Sequence, residues 1–331
     1  MSRHLASINA RQGPTVRSSG GSGRAIEPKS LGTGARRRDV CVRAQAPVEV
    51  GETSEQRGGD GNPPSCSGIG YSFTPGGMLV PYYVGVMKAM TELGLIGPDT
   101  PVSGSSAGAI AAAFMASGID MKDCLEANKR LQLDVLRNGT FQKLCNPLRD
   151  TLMDMLPEDI HHRANGRVGL AVTIYRPLTH DRPMEGRILD HFSDKEDFVE
   201  GIVGSCYIPY YVGPKAGIEY RGEIYSDGLP TNFFPPVVES AREGLEKTIT
   251  VCAIPRANRF YRDGPGVDIS PDNRPKSERF SSWGYVQRAM LAYPLDEVVQ
   301  IANDGYDEAS RWGEKFLTDR IRESSETGLS S

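Results

Sequence analysis

No run of 18 uncharged apolar residues occurs in the 331-residue chain, which excludes a hydrophobic helix long enough to cross a membrane. Cysteine is scarce: six residues with no C-x-x-C pair argue against a disulfide scaffold and a cysteine-rich structural zinc site. Histidine is scarcer, with only His4, His161, His162, His180 and His191. Acidic residues are almost missing from positions 1–44, where nine Arg and Lys face only Glu27 and Asp39. That +7 segment leaves −11 for the remainder of a chain whose formal total is −4. An acidic remainder offers no basic field for nucleic acid, which is excluded as a partner on that ground.

Residues 1–44 are rich in Arg, Ser, Gly and Ala and show no sustained apolar period. An Arg- and Ser-rich, acid-poor segment has the composition of an organelle transit peptide, and the lack of an apolar h-region disfavours a secretory signal. Val42-Arg43-Ala44 resembles the V-x-A cleavage sites of green-algal plastid transit peptides. The expectation is therefore a plastid address, with mitochondrion or cytoplasm as alternatives and a merely disordered basic tail as the plain one. Residues 45–65 include the stretch GETSEQRGGDGNPPS, which buries almost nothing and is expected to be a disordered linker. A folded unit over 66–255 follows, then a surface loop and C-terminal helices over 256–331.

The folded part alternates strand and helix signals, which implies an α/β sheet covered on both faces. Ile69, Tyr71 and Phe73 alternate as in a short strand that ends at Thr74, and Pro75-Gly76-Gly77 breaks it. Pro81 falls where the first turn of a helix tolerates proline, and Tyr83, Val86, Met87, Met90 and Leu93 continue at helical spacing to Gly94. Thr100-Pro101-Val102-Ser103 reads as a further strand, and AIAAAFMAS as a further helix closed by Gly118, with Asp120 as cap of the next. Residues 168–175 (VGLAVTIY) read as a buried strand, and Tyr220 and Ile224 flank Gly222 in a hairpin leading to Asp227-Gly228. Polar, Pro-rich residues 255–282 read as a surface loop before helical residues 285–317, interrupted by Pro294.

Gly104-x-Ser106-x-Gly108 lies between a strand and a helix, the context of a nucleophile elbow. A serine on so sharp a turn brings its neighbours at ±2 together, and side chains there would clash. The helix that follows aims its positive end at Ser106 and favours a developing oxyanion. A nucleophilic serine needs a base. No histidine follows Asp227, so the order Ser, Asp227, His is impossible here. Either a histidine among 161–191 serves with an earlier acid, or Asp227 accepts the Ser106 proton directly, with Gly228 allowing close approach and a positive φ. Gly76 and Gly77, at a strand end before a helix, offer backbone N–H groups to an anion. Pro75 has none, so the donors come from Gly76, Gly77 or Met78.

These pieces in this order resemble the patatin-like phospholipase family: a glycine-rich loop over 73–86, Gly104–Gly108, then Asp227-Gly228. Ser205-Cys206-Tyr207-Ile208-Pro209 and Leu229–Pro235 also resemble family segments around the aspartate. The resemblance covers about residues 67–255. It implies a three-layer α/β/α fold with a central, mostly parallel sheet, a Ser106–Asp227 dyad, an oxyanion loop at Gly76, Gly77 and Met78, and metal-independent, cofactor-free hydrolysis of lipid acyl esters. The implied partner is a lipid substrate at a membrane or lipid-droplet surface. Pro75 and Val80 stand where the family's G-x-G-x-x-G has its outer glycines. That departure motivates the competing expectation of a catalytically impaired lipid-binding protein. His161-His162 is expected to be a solvated pair whose side chains point apart.

Overall fold

The computed structural model describes residues 68–176, 183–255, 265–275 and 280–328. The expected transit segment, the linker over 45–65 and His180 lie outside these residues. Seven strands form one sheet: β1 (Ile69–Phe73), β2 (Val102–Ser105), β3 (Val168–Tyr175), β4 (Met184–Leu189), β5 (Ile218–Tyr220), β6 (Glu223–Asp227) and β7 (Lys247–Val251). Their order is β5-β6-β3-β2-β1-β7, with β4 also on β3. β7, β1, β2 and β3 are parallel, and β4 and β6 run against β3. Every residue of β1 and all but the last of β3 are buried, as strands covered on both faces must be. The mixed α/β fold with a mostly parallel central sheet is thus the one the sequence implied.

The helices are α1 (Val80–Glu92), α2 (Ala107–Ser117), α3 (Met121–Asn138), α4 (Cys145–Met155), α5 (Ile160–Ala164), α6 (Lys195–Ser205), α7 (Ser282–Met290) and α8 (Leu295–Gly328). Pro81 stands in the first turn of α1, and Gly94, at φ +71°, follows its end. Every residue of α2 is buried, which its Ala-rich sequence permits. Asp120 caps α3 by accepting from the Lys122 N–H at 2.7 Å. α8 lies against α1 with backbones in contact: a Cβ on Gly305 would stand 2.1 Å from the Tyr82 carbonyl oxygen.

One feature of the sheet positions the site. β2 pairs with β3 over Val168–Ala171 and ends at Ser105 opposite Ala171. β6 pairs with β3 from the other direction over Val172–Tyr175 and ends at Asp227 opposite Val172. β4 occupies Leu170–Tyr175 on the other edge, so β2 and β6 share one edge. Their C-terminal ends therefore meet head to head.

Two expectations need correction. Part of the loop over 255–282 is built into the sheet: Ile269 is fully buried and bridges Val251 in parallel, and the Cys252 N–H donates to its carbonyl at 3.0 Å. Ile269, an apolar residue in a largely polar stretch, occupies the open edge of β7. The rings of His161 and His162 do not point apart but lie 4.0 Å apart by centroid, because successive helical residues diverge by about 100° and large side chains can close that gap.

Candidate active site

Ser106 follows β2 directly, with φ +55° and ψ −122°, a strained conformation for a non-glycine residue. The turn is closed by backbone contact. A Cβ on Gly104 would meet the Gly108 carbonyl oxygen at 1.9 Å, and one on Gly108 the Phe73 oxygen at 2.1 Å. The Ser106 N–H donates to Ser205 Oγ at 2.9 Å, and the Ser205 hydroxyl donates to the Ala171 carbonyl at 2.6 Å. Ser205 is fully buried at the end of α6.

Asp227 arrives from the opposing strand and is buried. Its Oδ1 accepts from the Leu229 N–H at 2.8 Å, and its Oδ2 is buried without a hydrogen-bond partner. Burial pushes its carboxyl up to about 6, against the Ser106 hydroxyl and the Leu229 N–H, which both favour the ionised form. No hydrogen bond of normal geometry reaches Oδ2 from any described residue. Gly228 donates its N–H to the Ser205 carbonyl at 3.3 Å. A Cβ there would stand 2.4 Å from the Ala171 oxygen, so close approach demands glycine; a positive φ, expected from the sequence, is not adopted.

The loop over 74–79 crosses the same end of the sheet. Tyr83, fully buried on α1, donates its hydroxyl to the Thr74 carbonyl at 2.7 Å. Gly77 has φ +56°, and the N–H groups of Gly76, Gly77 and Met78 bond to no described residue. Pro75 therefore removes no donor from this set, and Val80 is already the buried first residue of α1. Segment 282–293 covers the loop. A Cβ on Gly77 would stand 2.0 Å from the Ala289 carbonyl, the Tyr293 hydroxyl donates to the Met78 carbonyl at 2.7 Å, and the Tyr211 hydroxyl donates to that of Met290.

Gly77, Met78 and Ser106 share a small pocket of about 50 Å³ with Ile110, Asn128, Leu131, Leu144, Leu148 and Tyr211. No histidine lines it, although His161, His162 and His191 are among the described residues. Among the described residues no group of three His, Cys, Asp or Glu is placed to hold a metal ion. The structure thus brings together Ser106, Asp227, Gly76, Gly77, Met78, Gly104, Gly108 and Gly228. Sequence reasoning missed Ser205, Tyr83, Asn128 and the α7 cover. Ser205 had one signal, its place in the small-residue segment before Asp227.

An elbow serine and a buried carboxylate thus stand together at the C-terminal end of the parallel strands of a mixed α/β sheet. Residues 72–236 match the patatin-like phospholipase family, and the chain carries a patatin-like phospholipase domain. It is 32% identical over 171 residues to mouse (Mus musculus) patatin-like phospholipase domain-containing protein 2, covering 48% of this chain and 34% of that protein. Identity to the Mus musculus omega-hydroxyceramide transacylase is 31% over 173 residues, covering 50% and 27%. Homo sapiens patatin-like phospholipase domain-containing protein 4 is 25% identical over 214 residues, covering 62% of this chain and 76% of that protein. The chain thus spans about a third of the length of the first two relatives. The solved structure of VipD from Legionella pneumophila aligns over 75% of this chain and 67% of its own, at 16% identity and a TM-score of 0.42.

Proposed function

We propose that this protein hydrolyses carboxylic esters of lipids through Ser106 and Asp227, without metal or cofactor. The observation that carries this is the head-to-head meeting of β2 and β6, which sets an elbow serine against a buried aspartate with a free oxygen. Asp227 takes the Ser106 proton as Oγ attacks the ester carbonyl. The N–H groups of Gly76, Gly77 and Met78 receive the oxyanion. Collapse breaks the ester C–O bond, Asp227 returns the proton to the departing alcohol, and the acyl group stays on Ser106. Asp227 then deprotonates a water that attacks the acyl-enzyme, releasing the fatty acid and restoring Ser106. An alcohol in place of water would give acyl transfer by the same steps.

The apolar pocket supports a lipid substrate, and the acidic charge balance favours neutral lipids such as galactolipids or acylglycerols over anionic ones. Phe141 (62% exposed), Tyr210 (59%), Met290 and Leu291 are exposed. Tyr211 links them to the pocket it lines, packing on Phe141 and bonding Met290. We propose that this rim meets the membrane or droplet surface. The composition of residues 1–44 supports a plastid address, which imaging of that segment fused to a fluorescent protein tests.

The decisive measurement is fatty-acid release from galactolipid, phospholipid and triacylglycerol in chelator, by the wild type and by Ser106→Ala and Asp227→Asn. Release that both substitutions abolish is the expected outcome. Folded wild-type protein that binds lipid vesicles but releases no fatty acid would replace the hydrolase with a lipid-binding protein. Loss on substitution of any single histidine would replace the dyad with a histidine-dependent esterase.

A further inference from the structure

The wall of the Ser106 pocket is apolar apart from Ser106, the weakly polar Cys206, Tyr211, whose hydroxyl is engaged by Met290, and one further side chain. Asn128, on α3, lines the pocket while only 7% exposed. Its Oδ1 is buried and unpartnered, and its amide bonds to no described residue. One turn further along the same helix face, fully buried Gln132 has an unpartnered Nε2, while its Oε1 accepts from the Tyr293 N–H at 3.4 Å. A buried carbonyl oxygen left without a partner is destabilising, which a leucine at 128 would avoid in a wall already made of Leu131, Leu144 and Leu148.

We infer that Asn128 is a specificity residue, and that the pocket takes an acyl chain carrying an oxygen substituent, a hydroxyl in the simplest case. This rests on the proposed hydrolase function only in placing the acyl chain there. A hydroxyl both donates and accepts, so it satisfies Oδ1 or the amide N–H in either orientation. An ionised group has no opposite charge among the lining residues and is disfavoured. The aliphatic wall fits hydrocarbon on both sides of that one polar contact. The free volume of about 50 Å³ holds a water or two, so the segment over Gly77 must shift to admit the chain.

The test uses the full chain carrying Ser106→Ala, titrated by calorimetry with palmitate and with its positional monohydroxy isomers. At least one isomer is expected to bind about tenfold more tightly than palmitate, and Asn128→Leu to erase that preference while palmitate binds as well or better. Asn128→Ala, which adds no bulk, repeats the comparison should the leucine variant fail to fold. Equal binding of palmitate and every isomer, or a preference that survives both substitutions, overturns the inference. Hydrolysis of 4-nitrophenyl palmitate by the unsubstituted protein keeps the two claims apart. Turnover without hydroxyl selectivity in binding removes only this inference, and Asn128-dependent selectivity without turnover removes only the hydrolase.

Discussion

Ser205 holds Ser106 and Asp227 to one another: its hydroxyl accepts from the Ser106 N–H, and its carbonyl accepts from the Gly228 N–H beside Asp227. Ser205→Ala leaves the Ser106 N–H and the Ala171 carbonyl without partners in a dry site, at a cost of about 1–3 kcal/mol. We expect kcat to fall about 10–100-fold with KM almost unchanged, because the loss falls on elbow geometry and not on the acyl pocket. Equal losses in both constants would place Ser205 in substrate binding instead. Asp227 carries the opposite tension. Its folded pKa of about 6 lies above the usual 3.8, so the fold holds the proton more tightly than the unfolded chain does. Stability is full below about pH 4, is lost as pH climbs to about 6, and stays lost above that. The gap corresponds to about 3 kcal/mol. Asp227→Asn keeps an acceptor for the Leu229 N–H, so at pH 8 it is expected to melt at higher temperature than the wild type while releasing no fatty acid. A lower melting temperature would mean that the carboxylate is held by contacts the structure does not show. In the wild type, kcat/KM should rise with pH through about 6 and then level.

At the scale of elements, segment 282–293 and the loop over 74–79 form one unit. A methyl on Gly77 collides with the Ala289 carbonyl and demands φ +56° of an alanine. Gly77→Ala is therefore expected to cut fluorophosphonate labelling of Ser106 by at least about a hundredfold with the fold retained. Pro75→Gly, which touches no donor, should leave labelling within about threefold. Unchanged labelling in both would move the oxyanion donors elsewhere. The parts of this assembly written in local pattern were legible in sequence: the alternation of β1, Pro81 in the first turn of α1, the small residues about Ser106, and Asp227-Gly228. The parts set by distant pairing were not. Ser106 and Ser205 are 99 residues apart, and nothing near either announces their bond. The meeting of β2 and β6 depends on register along β3, which no single strand encodes. Asn128 sits on an amphipathic helix as polar residues on a wet face do, and only the fold turns it inward.

Across the whole molecule the buried acids set how stability follows pH. Glu308, 2% exposed on α8, is pushed from 4.5 to about 7 by burial, against Arg311 and Arg274. Asp304, on the same helix, is also raised by burial, and its ion pair with Arg274 ties the segment after Ile269 to α8. Asp197 behaves in the other sense: burial opposes ionisation, but Arg221 and Tyr220 prevail and hold it at about 2. Its contribution is complete above about pH 4 and flat beyond, so it does not offset the others between pH 5 and 7.5. Asp227 and Glu308 hold their protons in the fold at pH values where the unfolded chain has released them. Stability therefore declines as pH rises through that window. Scanning calorimetry of the full chain should give a melting temperature several degrees higher at pH 5 than at pH 7.5, and Glu308→Gln should flatten the slope and raise the neutral-pH value. A melting temperature that climbs from pH 5 to 7.5 would show that the buried acids are ionised throughout. On the proposed mechanism, activity and stability are thus set in opposition by one physical cause: the burial that raises the Asp227 carboxyl toward neutral pH is of the same kind that makes the ionised fold the less stable one.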